Sequence, residues 1–430
     1  MNSWKEIAKY LSVEVRTAQR WAKELDLPVY RRDESQKTFV YAYENELDKW
    51  FKRHYKKKNS TKASIPYMKK GLIIIPILIF LFTIILFFHD KRSRRLSPNP
   101  FNFAVIESQL LVFNNAGEEL WRYDTKVDLD PSQYVKEGNF KSSKHVNFIT
   151  EDIDKDNNTE VIFVVQDINN SKGRILTFNK NGKLLWSFEP GKSVQYEDQE
   201  ISKDFDIGLV RLEDLNNDGF NEIIVVASHK MHFPSRVSIM NHNGHLIGDY
   251  WNSGHLLCVD FLDLDNDGND EIILGGLNNN YQKACLVVLD SRKISGRSPV
   301  ERGTRYYSEE LEPGTEKYYI LIPQNDIGRH FIYDVISGID LYSNKRFQIS
   351  TSRSRVFYEF DHQLRLTYIL CGDQFDFVYN ELAREGKISV PLSNIKEKIF
   401  KSEILYFNGK IWTNTPTMTD FWKKFNKSNH

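Results

Sequence analysis

DIDKDNNTEVIFVV (Asp152–Val165), DLNNDGFNEIIVVA (Asp214–Ala227) and DLDNDGNDEIILGG (Asp263–Gly276) are three copies of one phrase, DxDxDGxxE followed by an apolar run, offset by 62 and then 49 residues. A second phrase alternates with the first: LLVFNNAGEELW, ILTFNKNGKLLW and VSIMNHNGHLIG align Gly117, Gly182 and Gly244, offset by 65 and 62. Apolar β-type runs on either side of an Asn/Gly turn read as strand, tight hairpin, strand. Self-similarity at this spacing predicts a repeated all-β architecture, and roughly 330 residues at about 50 to 60 per unit make a ring of five to seven.

The acidic phrase has a chemistry of its own. Oxygens at positions 1, 3, 5 and 9 can wrap a hard cation, because alternate residues point inward while Gly at position 6 permits the sharp bend; Ca²⁺ takes six to eight such oxygens. An EF-hand places its bidentate acid at position 12 between helices, whereas here the acid is at 9 and strands follow. Asx-turn hairpins without metal are the alternative. In the first copy Asn157 replaces the Gly, and Asn tolerates the left-handed conformation best after Gly.

These loops resemble the FG-GAP and related calcium-loop repeats of integrin-like β-propellers, from about residue 100 to 290. The resemblance implies calcium ligands at Asp152, Asp154, Asp156 and Glu160, at Asp214, Asn216, Asp218 and Glu222, and at Asp263, Asp265, Asp267 and Glu271, with the carbonyls of Asn158, Phe220 and Asn269 joining them. Family members often carry Asp at the ninth position, so Glu alters reach. Residues 101–300 therefore read as the calcium-loop propeller repeats. In 301–430 the loop pattern is absent, but YILIPQ, RVFYEF, LTYIL and ILYFNGKIW read as strands, so further blades or a β-rich cap are expected.

Toward the N-terminus, GLIIIPILIFLFTIILFF (Gly71–Phe88) is 18 residues without a charged or amide side chain. As a helix it would span about 27 Å, close to a bilayer's hydrocarbon thickness. It begins too late for a signal peptide, so 71–88 is expected to be a single transmembrane helix between linkers 57–70 and 89–100. Lys52, Arg53, Lys56, Lys57, Lys58, Lys62, Lys69 and Lys70 precede it, and Lys91, Arg92, Arg94 and Arg95 follow. That bias places the N-terminus in the cytoplasm and the C-terminal part outside. Extracellular modules bind Ca²⁺ at about 10⁻⁴ to 10⁻³ M, which suits that side. Lys56, Lys57 and Lys58 begin a polar tether beside anionic headgroups.

Residues 1–56 read as two short helices, a strand pair and a third helix, a small α+β unit. Ser3 can cap a helix whose Ile7, Ala8 and Leu11 share a face. A second helix from about Val15 to Leu25 places Ala18, Trp21, Ala22 and Leu25 inward and Arg16, Gln19, Arg20 and Lys23 outward. On the second member of a short-turned helix pair, that basic stripe is where a helix-turn-helix meets the major groove. Arg31, Arg32 and Lys37 lie on the strand pair and could grip phosphates, with Leu47, Trp50 and Phe51 closing the core. IAKYLSVEVRTAQRWAKELDLPVYRR, followed by VYAYENELDKWF, resembles the winged helix-turn-helix of mercury-resistance-type regulators and phage excisionases, over about residues 3–54. The resemblance implies base or phosphate contacts from Arg16, Thr17 and Arg20, with Gln19 and Lys23 next. Ser12 stands where the usual turn residue is Gly.

Over all 430 residues the 58 Lys and Arg balance the 58 Asp and Glu, but residues 1–70 hold 17 bases against 9 acids, and the two ends suit different partners. Cys258, Cys285 and Cys371 are too few and too scattered for a disulfide scaffold and are expected to pack as small hydrophobes. No HExxH, GxSxG or GxGxxG occurs; Gly191, Lys192 and Ser193 only echo a phosphate loop, and His229 and His232 read as surface residues, so no enzyme is expected. The expected whole is a single-pass membrane transcriptional regulator. A cytoplasmic winged helix would bind DNA, as a homodimer for a palindromic site, and an external calcium-loaded propeller would sense a ligand or partner. The rival is a membrane-anchored adhesion or scaffold protein whose helical unit docks a cytosolic protein; an ectoenzyme is a third possibility.

Overall fold

The computed structural model describes residues 3–11, 13, 15–34, 37–56, 99–134, 147–167, 172–230, 233–342 and 345–428. The apolar segment 71–88, the linker 57–70, all but Asn99 and Pro100 of the linker 89–100, and His232 lie outside the described residues. Among the described residues no helix is long and apolar enough to cross a membrane. The chain divides into two compact units, 1–139 and 140–430.

The first unit begins with α1 (Trp4–Tyr10) and α2 (Val15–Glu24), continues through the antiparallel pair β1 (Tyr30–Glu34) and β2 (Lys37–Tyr41), and reaches α3 (Glu44–Lys56). Ser3 caps α1, its hydroxyl accepting from the Glu6 N–H at 3.2 Å. Ile7, Ala8, Leu11, Ala18, Trp21, Leu47 and Trp50 form one core, with the Trp21 and Trp50 rings 5.6 Å apart. The expectation for Leu25 is corrected: it is 40% exposed, and Leu27 takes the buried place. The cause is local, because α2 ends at Glu24 and Asp26 turns left-handed (φ 50°), which redirects the chain. Leu25 contributes its carbonyl instead, accepting from Trp50 Nε1 at 2.7 Å. The side chain of Phe51 lies outside the described residues. A three-stranded antiparallel meander completes the unit: β3 (Asn102–Ile106), β4 (Gln109–Phe113) and β5 (Glu119–Asp124).

The second unit is a series of antiparallel meanders, a propeller-like arrangement. β6 (Phe148–Glu151), β7 (Glu160–Asp167), β8 (Lys172–Phe178) and β9 (Leu184–Phe188) make one sheet, followed by the short pair β10 (Val194–Gln195) and β11 (Glu200–Ile201). The next sheet holds β12 (Phe205–Glu213), β13 (Glu222–His229), β14 (Ser235–Met240) and β15 (Leu246–Asn252). A third begins with β16 (Leu256–Leu262), β17 (Glu271–Asn278) and β18 (Lys283–Asp290). β19 (Ser295–Arg297) joins the edge of β15, and β20 (Tyr318–Leu321) extends the third sheet from β18. β21 (Ile336–Leu341), β22 (Phe347–Thr351), β23 (Val356–Phe360) and β24 (Leu366–Cys371) form the fourth. Three helices, α4 (Asp373–Arg384), α5 (Leu392–Phe400) and α6 (Asp420–Ser428), accompany β25 (Leu405–Phe407), which pairs with β20, and β26 (Trp412–Thr413), which pairs with β25.

Successive sheets pack face to face. Side chains alternate along a strand, so β13 sends Ile223, Val225 and Ala227 into the core shared with β7 and β8, and Ile224 and Val226 into the core shared with β17 and β18. Ile273 of β17 faces the opposite way, toward Phe347, Ile349 and Tyr358 of the fourth sheet. Burial on both faces is why these strands read as unbroken apolar runs. At Gly275 a Cβ would fall 2.4 Å from Ile336 Cγ2, so glycine lets the third and fourth sheets close on each other. All three cysteines are buried and free.

The all-β expectation for the C-terminal part is corrected by α4, α5 and α6. Phe375, Leu382, Ile395 and Ile399 recur at helical spacing and fill the same core as the third and fourth sheets. The four expected strand phrases do form strands, within β20, β23, β24 and the β25–β26 pair.

Candidate metal centres

The second phrase builds the same turn three times. Asn114, Asn179 and Asn241 each turn Oδ1 back onto two backbone N–H groups, two and four residues on, at 2.9–3.1 Å. Gly117, Gly182 and Gly244 follow at φ 78°, 80° and 78°, a conformation that a side chain disfavours.

The acidic phrase spans β6 to β7, β12 to β13 and β16 to β17. Position 6 is left-handed in every copy: Asn157 (φ 65°), Gly219 (φ 91°) and Gly268 (φ 86°). In the first loop Asp152 accepts from the Asp156 and Asn157 N–H groups at 3.1 and 3.0 Å, Asp154 from Asp156 at 3.2 Å, and Asp156 from Asn158 at 2.7 Å. The second repeats this wheel. Asp214 holds the Asp218 and Gly219 N–H groups at 3.0 and 2.9 Å, Asn216 holds Asp218 at 2.9 Å, and Asp218 holds Phe220 at 2.8 Å. The ninth residue stands apart, because Glu160, Glu222 and Glu271 are buried to 3%, 4% and 0% exposure. Each accepts at Oε2 from the N–H at loop position 2, of Ile153, Leu215 and Leu264, at 3.2, 3.0 and 2.8 Å.

Carboxylate oxygens of Asp152, Asp154 and Glu160 converge within 4.8 Å of one another, as do those of Asp263, Asp265 and Glu271, and of Asp265, Asp267 and Asp290. Burial, then the negative charge of Asp154, pushes Glu160 up to about 7. Burial does the same to Glu222, with Asp218 and Asp214 adding to it, again to about 7. A carboxyl raised by burial and by neighbouring negative charge is a site short of positive charge, and the convergent all-oxygen donor set of the first loop fits a hard cation. The second loop repeats the wheel with Asn216 at position 3, and among the described residues its three acids do not converge in the same way. No contact of the Asn158, Phe220 or Asn269 carbonyls bears on the ligand role expected of them. The Phe220 ring stacks on His242, centroids 4.5 Å apart, and Lys180 donates to Asn158 Oδ1.

The third loop differs. Asp290, Arg292, Lys317 and Lys345, none of them legible in the repeat, surround its acids. Lys317 Nζ stands 2.7 Å from Asp265, 2.7 Å from Glu271 and 2.8 Å from Asp290.

At the N-terminal end, Arg16, Gln19, Arg20 and Lys23 are exposed together on α2, Thr17 is half-buried beside them, and Arg31 is exposed on β1. Arg32 and Lys37 belong to β1 and β2, and their side chains lie outside the described residues. The Arg20 guanidinium donates to the Ala116 carbonyl at 2.8 Å. His229 is corrected from surface to core: it is 4% exposed, with Nε2 3.1 Å from Ser202 Oγ.

No family model matches the chain, and no curated protein matches it. Among solved structures it is similar to a Bacteroides caccae protein of unknown function (12% identity, 64% of this chain and 79% of that one, TM-score 0.26). It is also similar to the Dos1 propeller (9%, 63% and 68%, TM-score 0.33). A third likeness is to the Pseudomonas aeruginosa PilY1 C-terminal domain (14%, 61% and 57%, TM-score 0.36). None reaches a TM-score of 0.5, so the propeller-like reading rests on the sheets themselves.

Proposed function

We propose that the chain is a single-pass membrane regulator of transcription, with a DNA-binding winged helix at its N-terminus, a span at 71–88 and an external, calcium-stabilised propeller-like sensor. The observation that carries this reading is the exposed stripe of Arg16, Gln19, Arg20 and Lys23 on the second helix of a three-helix unit with a strand pair. A stripe of this kind offers cations to phosphates and an amide to a base edge. On the sensor side, a cavity of about 260 Å³ lined by Asn279, Gln282, Tyr306, Gln324 and Tyr333 offers amides and aromatic rings to a polar ligand.

Genome-wide crosslinking and precipitation of the tagged full-length protein, beside an Arg16→Ala, Arg20→Ala double variant, tests the DNA half. Sharp peaks lost in the variant are expected. A flat profile with the protein present in the membrane would transfer the case to the adhesion or scaffold reading.

The Arg20–Ala116 bond supports an opposing arrangement, because a bilayer crossed at 71–88 separates those two residues. In intact cells, external protease should digest a C-terminal tag and spare an N-terminal one. Equal protection of both tags would abolish the span and leave Arg20 on Ala116.

A further inference from the structure

We propose that the third acidic loop, Asp263 to Glu271, takes no calcium because the chain supplies its cations, with the Lys317 ammonium as the resident one. The inference rests on the calcium reading of the other two loops and divides the three copies into unlike classes.

Every acid at loop positions 1, 3, 5 and 9 already faces a basic side chain. Lys345 Nζ is 3.4 Å from Asp263 Oδ2 and also bonds the Asp263 carbonyl and Asn266 Oδ1. Lys317 takes Asp265 and Glu271, and Arg292 takes Asp267 at 2.8 Å. Asp290, at the end of β18, is shared by Lys317 at 2.8 Å and Arg292 at 2.6 Å. An ammonium has three protons to donate, and Lys317 spends them on three carboxylates while only 1% exposed. Its nitrogen–oxygen distances of 2.7–2.8 Å are those of charge-assisted hydrogen bonds, so one oxygen each of Asp265, Glu271 and Asp290 that would close on a metal is engaged; Asp263 Oδ1 stays buried without a hydrogen-bond partner among the described residues.

The lysine is also sealed in. The Trp422 ring of α6 is fully buried, with the Lys317 ammonium 5.7 Å and the Arg292 guanidinium 5.2 Å from its centroid. Trp422 Nε1 donates to the Thr315 carbonyl at 2.6 Å, and Thr419 bonds the Glu316 and Lys317 carbonyls at 2.7 and 3.1 Å. A calcium ion entering here would have to expel a buried lysine held by the C-terminal helix. The second loop offers the contrast: among the described residues no Lys or Arg forms an ion pair with Asp214, Asp218 or Glu222, and Asp214 holds the Asp218 and Gly219 N–H groups, whereas in the third loop the one backbone bond of that wheel runs from the Asn269 N–H to Asp267 at 2.8 Å. The third loop is the closest of the three to the repeat pattern, and it is the one whose cation is covalently part of the chain.

Calcium bound per chain, counted by equilibrium dialysis of the full-length protein in detergent, tests this. Asp218→Asn should bind one ion fewer than the wild type, Asp265→Asn as many, and Lys317→Met one more. Loss of an ion in Asp265→Asn overturns the proposal, as does a folded Lys317→Met that binds no more than the wild type. Should Lys317→Met fail to fold, Asp265→Asn decides alone. A wild type that binds no calcium defeats the calcium reading of the first two loops, and the gain in Lys317→Met over that baseline still decides the proposal.

Discussion

Full-length protein in calcium at about a hundredfold excess over the loop affinity is expected to be roughly 5 kcal/mol more stable than in chelator, since each filled site contributes about 2.7 kcal/mol at that excess. For a unit of this size that shifts the melting midpoint by on the order of 10 °C. The two loops that contribute are those at 152–160 and 214–222, whose acids are held by backbone N–H groups and meet no basic side chain in an ion pair among the described residues. Asp154→Asn and Asp218→Asn should each remove about half of the calcium effect. Asparagine keeps an Oδ1 for the Asp156 or Phe220 N–H, so the apo fold is spared and only the charge is lost. Calorimetric melting with and without chelator reads the effect, and an unchanged transition would take calcium out of the account.

Much of this was legible in the chain because it depends on neighbours in sequence. Asn-x-x-Gly dictates its turn within four residues, the acid wheel closes within nine, and Ser3 caps a helix that begins beside it. The Lys317 site depends instead on sheet order. Lys317 is 46 residues from Glu271 and 27 from Asp290, and it arrives because it leads into β20, which pairs with β18. Nothing in EKYYILIP marks its lysine as buried. The helices α4 to α6 are hidden for a different reason: Phe375, Leu382, Ile395 and Ile399 recur at helical spacing, but each helix is short and stands among apolar strand phrases such as LTYIL and ILYFNGKIW. Leu25 escapes the periodicity because helical spacing says where a face points and not where a left-handed Asp26 ends it.

Glu316→Gln is expected to make the chain more stable at pH 8 by up to about 3 kcal/mol and to change little near pH 4.5. Glu316 is 2% exposed, and its Oε2 finds no hydrogen-bond partner among the described residues. Burial pushes its carboxyl from 4.5 up to about 7; its own backbone N–H, Tyr250 and the Arg297 charge pull the other way without prevailing. Between those values the folded chain keeps a proton that the unfolded chain has released. Stability from this group is therefore complete below about pH 4.5 and is lost as pH rises through 7. Glutamine has the same shape and nothing to ionise, so the variant escapes the loss. Glu160 and Glu222 titrate in the same direction, but they do so in both proteins and cancel in the difference. Denaturant unfolding of the wild type and the variant in chelator, at pH 5 and pH 8, provides the comparison. A stability difference that does not grow with pH would mean that Glu316 is not a buried carboxyl titrating near 7. The residue next to Lys317 would then have to be reached by water, which the sealed packing of Trp422 over that lysine does not allow.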